Sequence, residues 1–160
     1  PTTITFMRFF VLALTLVQAA PALQFKGGSS HATIEPAPAA ISGAAGSKVS
    51  LAIDVTPKAG VHVYAPGTKD FIPIELKVTA QPDIKAGKVV YPKSEMMTFA
   101  DQKVPVFEKP FKLTTDATIA KTAKAGSTIT VNGEVHLQAC TEQICYPPET
   151  IPVSWTVSVK

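Results

Sequence analysis

The sequence predicts an all-β fold, an antiparallel β-sandwich, and three observations carry that expectation. Apolar residues recur at every second position in several short runs, as half-buried strands require. Turns containing Gly or Pro separate the runs, at Gly60, Gly67, Pro82, Gly87, Pro92, Gly126 and Pro147-Pro148. After the first residues no window of ten or so shows a helical 3.6-residue period, and 14 Pro in 160 residues oppose helices.

In chain order, Val49, Leu51, Ile53 and Val55 alternate with polar or small residues, and Val61-His62-Val63-Tyr64 follows the turn Pro57-Lys58-Ala59-Gly60. Ile72, Ile74, Leu76 and Val78 share one face of the next run, followed by Lys88-Val89-Val90-Tyr91. Later strands are expected at Val106-Phe107, at Phe111-Lys112-Leu113, over residues 129–137 and over residues 151–159. Seven to nine strands at this spacing suit a sandwich. The cysteines, Cys140 and Cys145, are close in sequence and precede Trp155, so the antibody arrangement of distant cysteines around a Trp is absent.

The first residues read differently. Met7-Arg8, the apolar run Phe9-Phe10-Val11-Leu12-Ala13-Leu14-Thr15-Leu16-Val17 and the small-residue pattern ending at Ala22 describe a secretory leader over residues 1–22. The apolar run is far shorter than the ~20 residues of a membrane span. Residues 1–6 precede the start-like Met7 and read as non-native. No Cys follows the run to carry a lipid anchor, and no second long apolar segment occurs, so a mature chain without stable membrane insertion is expected. Residues 23–45, rich in Gly, Ser, Ala and Pro, read as a flexible lead-in with one short strand near Ala32-Thr33-Ile34-Glu35. The folded domain is expected over residues 46–160.

Net charge is +3, but the lysines are scattered and no Arg follows Arg8, which is no nucleic-acid footprint. No Ser–His–Asp arrangement or carboxylate pair suggests hydrolysis. The cysteine pair is the chemical feature. Export places it in an oxidising compartment, where such pairs form disulfides. A Cys140–Cys145 bridge closes a loop of only six residues. On the chain-entropy account it constrains the unfolded state by roughly 2 kcal/mol, against roughly 4 for a loop of about 60 residues. It is a poor staple, and its place near a strand end and Pro147-Pro148 suits access by a partner thiolate. Spacing alone leaves a structural bridge in a binding module and a redox site both open. A copper site built from Cys140, Cys145, His136, Met96 and Met97 is a weaker third reading, because residues four apart on a strand lie some 13 Å apart.

The segment Leu137-Gln138-Ala139-Cys140 through Cys145-Tyr146-Pro147-Pro148-Glu149-Thr150 resembles the active-site hairpin of the N-terminal periplasmic domain of the thiol:disulfide interchange protein DsbD. Gly60-Val61-His62-Val63-Tyr64 resembles the strand leading to that domain's active-site tyrosine. Tyr91-Pro92, Val106-Phe107-Glu108 and Ala125-Gly126-Ser127-Thr128-Ile129-Thr130-Val131 follow in the family's order, and the resemblance covers residues 48–159. It implies an immunoglobulin-like sandwich and a thiol–disulfide relay that needs no organic cofactor or metal. It also implies electrons arriving from a thioredoxin-like protein and a membrane transporter, and leaving to oxidised periplasmic disulfide proteins. Cys145 is implied to exchange first and Cys140 to resolve. Tyr64 and Tyr146 are implied as supporting residues, and residues 96–102 as a cap loop carrying Phe99 and Asp101. Four residues separate the cysteines, where a known member of the family has five. The chain ends at Lys160, just past its last strand, so the electron donor is expected on another protein.

Overall fold

The computed structural model describes residues 27–38, 40–99 and 101–160; the expected leader over residues 1–22 lies outside the described residues. Among them no helix occurs. The strands are β1 (Gly27–Gly28), β2 (Ala32–Pro36), β3 (Ala40–Gly43), β4 (Lys48–Pro57), β5 (His62–Tyr64), β6 (Glu75–Val78) and β7 (Ile84–Val90), then β8 (Glu95–Phe99), β9 (Gln102–Phe107), β10 (Phe111–Ile119), β11 (Thr128–Leu137), β12 (Ala139–Cys140) and β13 (Glu149–Val159). They form sheets in the orders β1-β2-β4-β10-β7, β3-β13-β11-β6 and β12-β5-β9-β8. Every pairing is antiparallel except β3 on β13. The predicted all-β, immunoglobulin-like sandwich is what the chain forms.

The alternation explains the layers. On β4 Val49, Leu51, Ile53 and Val55 are buried; on β11 Ile129, Val131, Val135 and Leu137; on β13 Ile151, Val153, Trp155, Val157 and Val159. These three strands therefore turn apolar faces into one core. Trp155 is buried there and its Nε1 donates to the Ala52 carbonyl at 2.8 Å, tying β13 to β4 in the opposite sheet. Gly133 makes room for the indole. A Cβ at that position would lie 2.7 Å from the Lys77 carbonyl oxygen and 3.2 Å from Trp155 Cζ3.

The described part of residues 23–45 is not a flexible lead-in. It supplies β1, β2 and β3, with β2 paired to β4 from Ala32↔Pro57 to Pro36↔Ile53, and β3 paired to β13 from Ala40↔Thr156 to Gly43↔Val159. The strand expected near residues 32–35 is β2. Ala32, Ile34 and Ile41 are the reason: each is buried in the core, and burial of two isoleucines outweighs the turn-forming composition around them. More strands occur than the seven to nine expected, because β1–β3 and two-residue pieces such as β12 carry little pattern of their own.

Candidate redox site

The site is built where the chain changes sheets. β11 pairs with β13 as far as Leu137↔Glu149. The strand expected over residues 129–137 is β11, the ladder breaks at Gln138, and β12 then pairs with β5 in the third sheet, Ala139 opposite Val63 and Cys140 opposite His62. Ala139 and Cys140 are both buried, because they face opposite sides of this sheet. Ala139 and Val63 join the main core, whereas Cys140 and Tyr64 join a second, smaller cluster with Val104 and Val106.

A tight loop follows. Thr141 N donates to the Ile144 carbonyl at 2.8 Å, and Tyr146 N donates to the Ala139 carbonyl at 2.9 Å. Thr141 Oγ1 accepts from the backbone N–H groups of Gln143 and Ile144 at 3.2 and 3.1 Å, a side chain closing its own turn. Within this loop Cys140 and Cys145 form a disulfide, their Cα atoms 4.0 Å apart. Pro147-Pro148 then offers no N–H to a ladder until β13 begins at Glu149.

The two sulfur-bearing residues differ in access. Cys140 is 0% exposed, while Cys145 is exposed. Tyr64 is fully buried, and its hydroxyl lies 3.9 Å from Cys145 Sγ. Burial pushes the Tyr64 phenol up from its ordinary value, so it is a neutral donor at physiological pH. Phe71 stacks on the Tyr64 ring at 4.2 Å, and Phe99 meets Phe71 edge-on at 5.8 Å.

Three of the remaining expectations take a different form. The cap loop over residues 96–102 is largely a β-hairpin, β8 paired with β9 from Glu95↔Val106 to Phe99↔Gln102. Phe99 packs against the cluster of Tyr64 and Cys140, and Cys145 stays exposed beside it. Asp101 is exposed in the hairpin turn with φ 62°, a conformation Asp tolerates better than most residues, so its evident part is in the turn. Tyr146 turns away to the other side: its ring stacks on His31 at 3.7 Å and packs on the main core. The Glu149 carboxylate accepts from Ser29 Oγ at 2.5 Å and from Ser30 N at 3.1 Å, so the segment preceding β2 braces the chain just after the cysteines.

Sequence reasoning singled out neither His62 nor Phe71 for the site. His62 sits two residues before Tyr64 on the same face of β5, a signal that strand periodicity offers; Phe71 lies between strands, where periodicity offers none. His62 is buried, its ring edge-on to Tyr64 at 5.3 Å, and its Nε2 has no hydrogen-bond partner. Burial holds its pKa below the ordinary histidine value, with the negative charges of Glu108 and Glu142 pulling the other way. Its edge lines a groove of about 630 Å³ together with Lys58, Met97, Glu108, Thr141 and Glu142.

The copper set does not assemble as a cluster. His136 Nδ1 lies 3.0 Å from Thr150 Oγ1 on the β11–β13 pair, Met96 is exposed, and among the described residues no group of three or more His, Cys, Asp or Glu could hold a metal ion. No helix among the described residues is long and apolar enough to cross a membrane.

Comparison with known proteins agrees with this geometry. The family model of the thiol:disulfide interchange protein DsbD, N-terminal, matches residues 31–154, well over half of the chain. A search of the curated proteins found no match. Among solved structures, the N-terminal periplasmic domain of ScsB from Proteus mirabilis is similar at a TM-score of 0.52 and 12% identity, covering 78% of this chain and 47% of that one. This chain thus spans about half the length of that ScsB structure, and the likeness is one of fold. The Neisseria meningitidis DsbD N-terminal domain in the reduced form is similar at a TM-score of 0.43 and 16% identity, covering 69% of this chain and 78% of that one. A disulfide in the loop between β12 and β13, on an immunoglobulin-like sandwich matched by that family over residues 31–154, leads to one assignment: the chain belongs to the family of DsbD N-terminal domains, which are thiol–disulfide interchange domains.

Proposed function

We propose that this chain is an extracytoplasmic, periplasmic relay domain that carries electrons through Cys140 and Cys145. They come from a thioredoxin-like protein or domain, itself served by a membrane electron transporter, and pass to oxidised disulfide proteins. The observation that carries the reading is the asymmetry of the pair: an exposed Cys145 bonded to a Cys140 that is 0% exposed. Exchange needs a thiolate to approach one sulfur and displace the other. In this arrangement the incoming thiolate attacks Cys145 Sγ, the S–S bond breaks, and the electron pair leaves on Cys140 Sγ. In the forward direction the reduced Cys145 attacks a partner disulfide, and Cys140 then attacks Cys145 Sγ and releases the reduced partner. The loop offers little stabilisation as a staple, which also favours the relay over a structural bridge.

The test is the reduction potential together with trapping. A potential between those of thioredoxin-like proteins and disulfide isomerases, about −270 to −180 mV, is expected. A Cys140→Ser variant should hold a stable mixed disulfide at Cys145 with a thioredoxin-like protein. A potential below about −300 mV with sulfurs inert to such proteins would make the bridge structural.

A further inference from the structure

We propose that His62 is the general base of the resolving step, taking the proton from Cys140 so that its sulfur can attack Cys145 Sγ. The inference rests on the relay reading above and assigns the proton within it. Three observations carry it. His62 and Cys140 are directly opposed on paired antiparallel strands, so their side chains leave the sheet on one face with Cβ atoms about 4.5–5.5 Å apart. Both are buried, at 2% and 0% exposure, so water has little direct access to the Cys140 thiol. His62 Nε2 has no hydrogen-bond partner while the disulfide is closed. A buried polar atom left without a partner calls for an explanation. Reduction supplies one, because it creates an S–H donor on the facing residue.

The need for a base follows from the same burial. After Cys145 has formed a mixed disulfide, Cys140 is a thiol in an apolar cluster with Tyr64, Val104 and Val106, where a free thiolate is costly. With its own proton on Nδ1, the neutral imidazole accepts the Cys140 proton at Nε2. The Cys140 sulfur then attacks Cys145 Sγ, the new S–S bond forms, and the partner leaves as a thiolate. The imidazolium passes its proton to water in the groove.

The groups facing His62 suit both states. Desolvation keeps the ring neutral and ready to accept at physiological pH. Glu108, just after β9, and Glu142, in the cysteine loop, favour the imidazolium once it forms. Tyr64 lies beside it on β5 as a neutral phenol, Met97 of β8 is uncharged, and Lys58 is the cation on the groove.

The experiment follows the full chain, reduced, against a symmetrical aryl disulfide whose thiolate product is coloured. Cys145 releases the first equivalent as its mixed disulfide forms, and attack by Cys140 releases the second. A His62→Gln variant should leave the first phase within about twofold and slow the second on the order of 100-fold at pH 7, within the usual range for a general base. The slowed phase should then rise with pH up to the thiol's own ionisation, whereas the wild-type phase stays flat through neutrality. Free imidazole should partly restore the rate in His62→Ala, which a merely structural role would not produce. A second phase with unchanged rate and pH profile in His62→Gln would overturn the assignment. Should both variants fail to fold, the wild-type second phase decides: a flat neutral pH profile with a solvent deuterium slowing supports the base, and a rise following thiol ionisation without slowing refutes it. Failure of the relay reading is distinct, since it is read from a potential below about −300 mV and sulfurs inert to thioredoxin-like proteins, whereas the aryl disulfide reports the resolving step alone.

Discussion

Replacing Tyr64 by Phe removes one oxygen and leaves the ring, its stack on Phe71 and its place under the β8–β9 hairpin. Among the described residues, the hydrogen-bonding contact of that hydroxyl is with Cys145 Sγ at 3.9 Å. In the reduced protein the hydroxyl is expected to donate to the Cys145 thiolate, and a hydrogen bond to a charged group contributes about 1.5–3 kcal/mol. The long separation to a diffuse sulfur places this one at the lower end, about 1.5 kcal/mol. That free energy converts to a rise of about one unit in the Cys145 pKa. At a pH where Cys145 is ionised, it also makes the reduction potential about 30 mV more negative, because the variant's dithiol form is less stabilised. The first quantity is read from the pH dependence of alkylation in a Cys140→Ser background, the second from equilibration of the two-cysteine protein with a glutathione buffer. Linkage requires both to move. An unchanged pKa, or a pKa that moves while the potential at high pH does not, would refute the assignment of the Tyr64 hydroxyl to the thiolate.

Three further outcomes are expected. Gly133→Ala forces a methyl to 2.7 Å from the Lys77 carbonyl oxygen and against Trp155, and thermal unfolding should report a loss of about 1–3 kcal/mol. Trp155→Phe deletes the donor to the buried Ala52 carbonyl and leaves space beside it; urea unfolding should show a loss of at least about 1–3 kcal/mol with the midpoint, rather than the slope, changing. Because the folded-state pKa of His62 is depressed by burial, the unfolded chain binds its proton first as pH falls. His62 therefore makes stability decline as pH drops through about 6.5 toward the lower folded value, and unfolding midpoints at several pH values should show His62→Gln flattening that decline.

How much of this was readable in the sequence depends on how local the cause is. β4, β11 and β13 carry long alternation, and their buried faces follow it residue by residue. Cys140, Cys145 and Tyr64 were identifiable from their motifs, and the structure brings all three together. The strand around Ile34 is legible, but Ile41 is one apolar residue among Gly, Ser, Ala and Pro, and only the partner strand β13 makes a strand of its surroundings. The break at Gln138 is likewise set by long-range pairing: Leu137 answers to β13 and Cys140 to β5. Phe71 has no periodic neighbour to announce it. Tyr146, expected beside the cysteines' chemistry, is claimed by His31 from the far side of the sequence.

The sheet that carries the cysteines has apolar residues on both faces, and the two faces belong to separately packed clusters. Free energies of local opening follow such units rather than the whole molecule. The cluster of Tyr64, Val104, Val106 and Cys140, with Phe71, Met97 and Phe99 over it, is expected to open by lifting β8 from β9, while β9 stays paired to β5 with Phe107 in the main core. The core around Trp155 need not be disturbed. Amides of β8 should then exchange with solvent well before those of β4 and β13. The sandwich can thus be stiffened for heat resistance through its main core while the rate at which Cys140 becomes reachable is set elsewhere, by a few aromatic rings.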